Sequence, residues 1–491
     1  MAFWGLKTVE GGVLIGYGVI KETQNIRWRR PPKVKYSKRE ITCRAYKIPE
    51  LRFEDQNLTS FAGLIIFQPL FSQLQIKDRL RACFRHVKVA EIFGHHVVMM
   101  LLMVHLLLGF RRLRDLDYYK DDPLVQRVLG LKRIPDVSTV CRVLKSADEK
   151  CIIKIRELVR QFIIDRLRKT GLSRLTMDFD GSVLSTGRKA QGTAVGFNKK
   201  KKGARSYYPL FCTIAQTGQV FDVLCRPGNV HDSKGAREFM LFCVGTVREA
   251  LPGIIIEVRM DSAFFSDEIV TALDRERIEF TLSVPFERFA ELKELIQARL
   301  RWRRLQKGIH YFETRWKPKK WKRKFQFLFI RQYSKEMQKG LIQLDLFIPY
   351  EYGYEYKVVV TNKAVSAKKV LAFHQGRGQQ ENVFSELKSQ GQLDYIPVRR
   401  LYGNQLYMMA SILSHNLNRE LQMATAEPER GTTEKRAPLW RFTELKKLRH
   451  FYLQRAGRLT NPQGCLTLTM SGNETVKQGL IDFLDALKMA A

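Results

Sequence analysis

Acidic residues are scarce in this sequence. There are 49 Asp and Glu against 85 Lys and Arg, a net charge of +36, and the isoelectric point is near 10.0. The shortage leaves most of the positive charge without an internal counter-charge and points to a polyanionic partner, with an acidic membrane surface as the competitor. Long apolar runs are also missing. The longest, VVMMLLMVHLLLGF from Val97 to Phe110, is broken by His105 and falls short of the roughly 20 residues that cross a bilayer, so it reads as a buried core helix. No n-region and cleavage site frame the start, so no secretory signal is expected and a cytoplasmic protein is. The 8 cysteines are scattered and form no C-x-x-C pair. That excludes a disulfide framework or zinc site and leaves reduced, mostly buried thiols. There are no internal repeats and no low-complexity tracts.

What is present is a globular composition, 45% hydrophobic over 491 residues, enough for roughly three domains. Residues 1–170 read as a basic arm followed by a helical, DNA-binding region. The arm carries Arg27, Arg29, Arg30, Lys33, Lys35, Lys38 and Arg39, kept extended by Pro31 and Pro32. Within the helical part, IPDVSTVCRVLKSA from Ile134 to Ala147 offers Ser138 as the N-cap of a basic amphipathic helix. It fits either the second helix of a helix-turn-helix or an ordinary packed helix.

The texture changes after Gly171. LTMDFDGSVLS alternates Leu175, Met177 and Phe179 with Thr176, Asp178 and Asp180, the period of a strand. Two strands come next about Thr217-Gly218, a hairpin signal. A helix over 234–251, capped by Asp232 or Ser233, succeeds them. The apolar strand IIIEVRMD then ends at Asp261, before a further helix and the strand EFTLSV. This order over 171–285 suits a mixed sheet covered by helices, an α/β core like that of ribonuclease H. Asp180 sits beside Gly181 on the first strand, and Asp261 ends a later one, where open α/β sheets place their ligands.

A third acid lies in HQGRGQQENVFSELK, residues 374–388. Read as one helix turning about 100° per residue, the segment puts His374, Arg377, Glu381 and Lys388 within roughly 40° of one line. A carboxylate flanked by cations and a histidine suits a metal-binding acid inside a phosphate-binding surface. The same spacing also fits a solvated helix with ordinary i,i+4 ion pairs. Two-metal phosphoryl transfer needs such acids, because its ions sit about 3.5–4 Å apart and are held by several carboxylates. Mg²⁺ prefers oxygen ligands and shares its shell with water and phosphate.

On these residues the chain resembles the DDE transposases of bacterial insertion sequences. Their Tyr-x2-Arg-x3-Glu-x6-Lys signature is matched by Arg377, Glu381 and Lys388, with His374 in place of the tyrosine. Asp180-Gly181-Ser182 and Asp261 match the family's first two acids, and PGNVHDS, LGFRRLRDLD, DDPLVQRVLG and VSTVCRVL also look family-like. Asp178 rivals Asp180, since both face one side of the strand; Asp180 is preferred because the family motif sets its acid directly before Gly-Ser/Thr. The resemblance implies a ribonuclease H-like catalytic core in two parts, 171–285 and 357–423, interrupted by a β-rich insertion over 286–356. It implies catalysis and metal binding by Asp180, Asp261 and Glu381, using Mg²⁺ (Mn²⁺ as substitute), two ions per site. It also implies contacts to DNA from His374, Arg377 and Lys388.

The resemblance further implies a cut-and-paste transposase that binds its element's terminal inverted repeats, cleaves there and joins the freed 3′ ends to target DNA. It carries with it a homodimer in the synaptic complex and a bacterial, nucleoid-associated location. A ribonuclease H-like nuclease or resolvase without strand transfer is the alternative, and a domesticated DNA-binding protein is a third reading, opposed by the intact acids. Further DNA contacts are expected from the basic loop Lys199, Lys200 and Lys201. In the insertion, Trp302, Trp316 and Trp321 alternate with Lys and Arg. Trp316 and Trp321 either stack on unpaired bases or fill the core of the insertion. Residues 424–491 read as helix, strand at CLTLTM, then helix, a candidate dimerisation region.

Overall fold

The computed structural model describes residues 49–87, 92–187, 189–196, 198, 201–333, 354–430 and 438–489. The chain falls into two units, Met1–Glu54 and Asp55–Ala491. In the first, residues 49–54 form neither helix nor strand. The basic arm between Arg27 and Arg39, together with Lys199 and Lys200, lies outside the described residues. The second unit carries the helices and strands of the described residues.

Its first part is helical. Helix α1 (His95–Leu108) is apolar on every side and almost wholly buried, as its sequence leads one to expect. No helix among the described residues is long and apolar enough to cross a membrane. Helix α2 (Val137–Ser146) is capped by Asp136, which accepts from the Thr139 amide at 2.8 Å, and not by Ser138. The Ser138 hydroxyl instead donates to Asp136 at 2.6 Å. The carboxylate is the stronger acceptor, so it takes the free amide. Helix α3 (Glu149–Thr170) starts at an Asp148 cap and stops at Gly171, whose φ of +57° makes the left-handed turn into the sheet.

The centre is a nine-stranded sheet. In chain order its strands are β1 (Arg174–Gly181), β2 (Leu210–Ile214), β3 (Gln219–Leu224), β4 (Ile255–Met260), β5 (Glu279–Ser283), β6 (Arg303–Gln306), β7 (Ile309–Trp316), β8 (Phe325–Tyr333) and β9 (Tyr354–Thr361). The spatial order is β6-β7-β8-β9-β5-β4-β1-β2-β3. Strands β1, β4 and β5 run parallel, and every other pairing is antiparallel. The expected hairpin joins β2 to β3, with Gly218 at φ +61°. The strands of the expected β-rich insertion continue the central sheet, because β9 pairs with β5 and carries β8, β7 and β6 beyond it. Moreover β1 is buried on both faces, so Thr176 and Asp178 are as enclosed as Leu175, Met177 and Phe179.

Helices α4 (Ala236–Ala250) and α5 (Asp267–Arg275) connect the central strands, and Phe239 of α4 meets Phe179 edge to face. The residue at the start of α4 is Gly235, with no side-chain cap; neither Asp232 nor Ser233 serves there. After β9 come α6 (Ala367–Gln375), α7 (Gly378–Ser389) and the long α8 (Leu401–Thr425). Buried ion pairs fasten the helical part to the sheet: Arg156 and Arg160 of α3 grip Asp222 of β3 at 2.7 and 2.8 Å. Near the end of the chain, Thr467–Met470, the strand anticipated at CLTLTM, pairs with Gly457–Thr460, which in turn pairs with Leu58–Thr59.

Candidate active site

Asp180 and Asp261 become neighbours through strand register. Phe179 of β1 and Met260 of β4 are paired in the parallel ladder, and each is followed directly by one of the acids. Both carboxylates therefore stand near the carboxyl edge of adjacent parallel strands, the edge at which open α/β sheets place their ligands, and both are largely buried there. Asp180 accepts from the Gly181 amide at 2.8 Å, and Asp261 from the Ala263 amide at 3.0 Å. Burial and the negative charge of Asp261 push the Asp180 carboxyl up to about 7. Asp261 is raised too, chiefly by burial, with Asp232 and Glu381 adding repulsion.

Glu381 comes from the first turn of α7 and is exposed. Arg377 joins it to the strands: one guanidinium nitrogen lies 3.3 Å from Asp180 Oδ2 and the other 3.4 Å from Glu381 Oε1. Lys388 and Glu381 border one open groove with Arg111 and Asp394. Glu386, on the opposite side of α7, is buried against Arg419 and accepts from the Leu445 amide at 3.1 Å.

The segment 374–388 is not one helix. It breaks between α6 and α7, where the Gly376 and Arg377 amides make shorter, three-residue bonds to Phe373 and His374. The cause is Arg259, whose Nη1 donates to the Phe373 carbonyl at 3.0 Å, the acceptor that a continuous helix would give to Arg377. Gly376 is required there, since a Cβ would lie 2.0 Å from Arg259 Nη1.

His374 is consequently separated from the acids and its ring is spent. Nδ1 bonds Thr281 Oγ1 at 3.0 Å and Nε2 bonds Ser283 Oγ at 2.8 Å. Burial, with Arg377 and Arg259 nearby, lowers its pKa to about 3, so it is neutral. It offers neither charge nor an available donor to phosphate, which corrects the expectation of a DNA contact. Asp178, the rival first acid, is 1% exposed and accepts from Nε and Nη2 of Arg259, each at 2.6 Å.

For the tryptophans, the contacts describe the second of the two readings, core packing. Trp321 is 7% exposed and stacks on Phe265 at 4.9 Å. Trp316 is half-buried and meets Phe289 and Phe327 edge to face. They fill the hydrophobic layer under β7 and β8 rather than face a base. Of the basic loop, Lys201 is described and is exposed.

Three residues near the acids, Asp232, Tyr208 and Arg226, were not singled out as site residues by the sequence. Asp232 accepts from Tyr208 Oη at 2.9 Å and lies 3.4 Å from Arg226 Nη2. The signal available for Asp232 and Arg226 was their position in and directly before PGNVHDS; Tyr208, far back in YYPLF, had none. The oxygen-only donors, mutual repulsion and burial of Asp180 and Asp261 fit a hard divalent cation. With Arg377 between Asp180 and Glu381, the triad does not close to single-ion spacing. Among the described residues, the group with ligand atoms all within 4.8 Å of one another is His86, Asp148 and Cys151. There Asp148 is already engaged in capping α3.

A family model described as "Transposase DDE domain group 1" matches residues 43–491. No curated protein matches the chain. Among solved structures, the chain is similar to a piggyBac transposase in a synaptic complex with hairpin DNA, at 13% identity. That match covers 73% of this chain and 74% of that one, with a TM-score of 0.40. It is also similar to Mos1 transposase in a paired-end complex with the left transposon end, at 11% identity over 34% of this chain and 55% of the other, TM-score 0.17.

Proposed function

Because the chain belongs to the DDE transposase domain family, we propose that it cleaves and joins DNA with Asp180, Asp261 and Glu381 as its catalytic acids. The protein is a DNA transposase, and cut-and-paste transposition is consistent with that. Our finer reading is a ribonuclease H-like core of the bacterial insertion-sequence type. It would act on the terminal inverted repeats of its own element as a homodimer, one site at each end, in a bacterial cytoplasm. The strand order β3-β2-β1-β4-β5, with an antiparallel hairpin beside three parallel strands, supports the ribonuclease H-like arrangement. The observation that carries the site is the placement of Asp180 and Asp261 directly after the paired Phe179 and Met260 of β1 and β4, with the Asp180 carboxyl raised to about 7.

We take the metal to be Mg²⁺, replaceable by Mn²⁺ and present as two ions held by the three acids. When bound, such ions activate a water or 3′-hydroxyl and stabilise the leaving oxygen. Asp180 serves once it has lost its proton, which its raised pKa opposes in the free protein. Arg377 neutralises Asp180 and Glu381 until a cation takes over, and then turns to the DNA backbone, where its planar fork holds a phosphate with two bonds. Lys388 steadies the same backbone along the groove. The Asp178–Arg259 pair acts at a distance, since Arg259 fixes the Phe373 carbonyl and so the point from which Arg377 departs. This arrangement supports Asp180 as the first acid.

The test uses the full-length protein, a labelled duplex carrying the element's end, and Mg²⁺. Wild type is expected to release a 3′-hydroxyl end and join it to a target duplex. Asp180→Ala, Asp261→Ala and Glu381→Ala should each abolish both steps while binding of the end persists. Near-normal cleavage by Glu381→Ala removes it from the site. Cleavage without any joining favours a nuclease or resolvase.

A further inference from the structure

The loop 227–233 between β3 and α4 places a fourth acid over the first one. Asp232 does not cap α4, so its carboxylate is not consumed by the helix. The loop is clamped from below by Arg226, whose Nη1 donates to the carbonyls of His231, Asp232 and Lys234 at 3.2, 3.0 and 3.1 Å. Tyr208 closes the other side by donating to Asp232 Oδ2 at 2.9 Å. Oδ1 keeps only the long 3.4 Å contact with Arg226 among the hydrogen bonds of the described residues. That oxygen lies over the strand end: a Cβ on Gly181, the residue after Asp180, would stand 2.5 Å from it. Gly181 thus leaves room for the acid to approach.

The placement is costly for the protein alone. The Asp232 side chain is only 13% exposed, and its charge adds to the repulsion felt by both Asp180 and Asp261. Four acids, Asp180, Asp232, Asp261 and Glu381, share this end of the sheet, with Arg226 and Arg377 as their paired cations. Packing one more carboxylate against like charges is unfavourable unless a further cation is to be held there. Oδ1 is not within ligand spacing of the other acids as a single group of three. It therefore suits the water shell that a small divalent ion retains rather than the ion itself.

We propose that Asp232 is a positioning residue of the metal centre. Its Oδ1 accepts a hydrogen bond from a water on the cation held by Asp180 and Asp261, and Tyr208 and Arg226 fix its orientation. The proposal rests on the assignment of Asp180 and Asp261 as metal ligands.

The experiment is calorimetric titration of the DNA-free, full-length protein with Mn²⁺, alongside thermal unfolding in chelator. Asp232→Asn keeps one uncharged acceptor oxygen, which Tyr208 claims, and so is expected to weaken Mn²⁺ binding by about 10- to 100-fold, the usual effect of losing a hydrogen-bond partner of a metal's shell. Its metal-free unfolding midpoint should change little, because the relief of repulsion on Asp180 and Asp261 is offset by the lost counter-charge of the buried Arg226. Tyr208→Phe, which keeps the ring and frees Oδ2, should weaken binding less. Wild-type affinity in Asp232→Asn, with Asp180→Asn and Asp261→Asn impaired, overturns the role of Asp232 alone. Wild-type affinity in all three removes the metal site itself. If Asp232→Asn fails to fold, Asp232→Ser and Tyr208→Phe decide: a lower melting point with unchanged Mn²⁺ affinity in the folded variants marks a purely structural loop.

Discussion

Two levels of the same strands treat buried charge in opposite ways. At the lower level of β1, β4 and β5, Arg174, Lys363 and Arg259 are matched by Glu257, Glu279 and Asp178 in a closed set of ion pairs. At the upper edge, one register step beyond Phe179 and Met260, Asp180, Asp232, Asp261 and Glu381 share Arg226 and Arg377. The lower set is satisfied by the protein and acts as scaffold. The upper set is left short of positive charge, which is the arrangement our proposed metal site requires. Asp178 and Asp180, two residues apart on one side of one strand, fall on either side of that boundary.

Substitution at each level should therefore have opposite consequences for stability. Arg259→Ala strands Asp178 as an uncompensated buried charge and should cost about 3–5 kcal/mol in denaturant unfolding. It should also disturb the α6–α7 break, since the Phe373 carbonyl loses its partner. Asp180→Asn should do the reverse in the metal-free protein. The folded pKa of about 7 lies above the usual value of 3.8. The stability linked to the protonated form is thus fully present below pH ~4 and is lost as pH rises through about 7. At pH 8 the neutral Asn side chain avoids that loss, and unfolding in chelator should show a gain on the order of 1 kcal/mol or more. A destabilised Asp180→Asn at pH 8 would erase the distinction between the two levels.

A smaller effect separates Lys201, an exposed candidate for DNA contact, from His374, whose ring is engaged inside the fold. Lys201→Ala should weaken binding to all duplexes alike and reduce the slope of log affinity against log salt by about 1. His374→Gln should leave that slope at its wild-type value and lower the melting point, because the ring braces β5 through Thr281 and Ser283. A lower salt slope in His374→Gln would return that residue to the DNA surface.

Local patterns are enough to place the strands at β1, β2, β3, β4, β5 and β9, the core helix α1 and the hairpin turn at Gly218. Each of those signals lies within a few residues of chain. Sequence patterns mislead where a distant partner decides. Arg259 comes from β4, yet it seals Asp178 on β1 and breaks the helix expected over 374–388. No spacing within either segment carries that information. Spacing likewise leaves two readings open for Trp316 and Trp321, because their neighbours Phe289 and Phe265 come from segments far back in the chain. The site is legible in part because its acids sit at strand ends and before Gly-Ser. Asp232 is legible only as part of a loop motif, with its direction set by Tyr208 and Arg226.

The central claim is that the uncompensated acids at the upper edge hold the metal. It is tested most directly by counting protons released when Mn²⁺ binds the full-length protein, by titration at pH 6 and pH 9 in buffers of different ionisation enthalpy. With Asp180 raised to about 7, binding at pH 6 should expel about one proton and binding at pH 9 close to none. Asp180→Asn should bind weakly and lose the release, whereas Asp178→Asn, where it folds, should keep it. Tight Mn²⁺ binding by Asp180→Asn with an unchanged proton count at pH 6 would contradict the account.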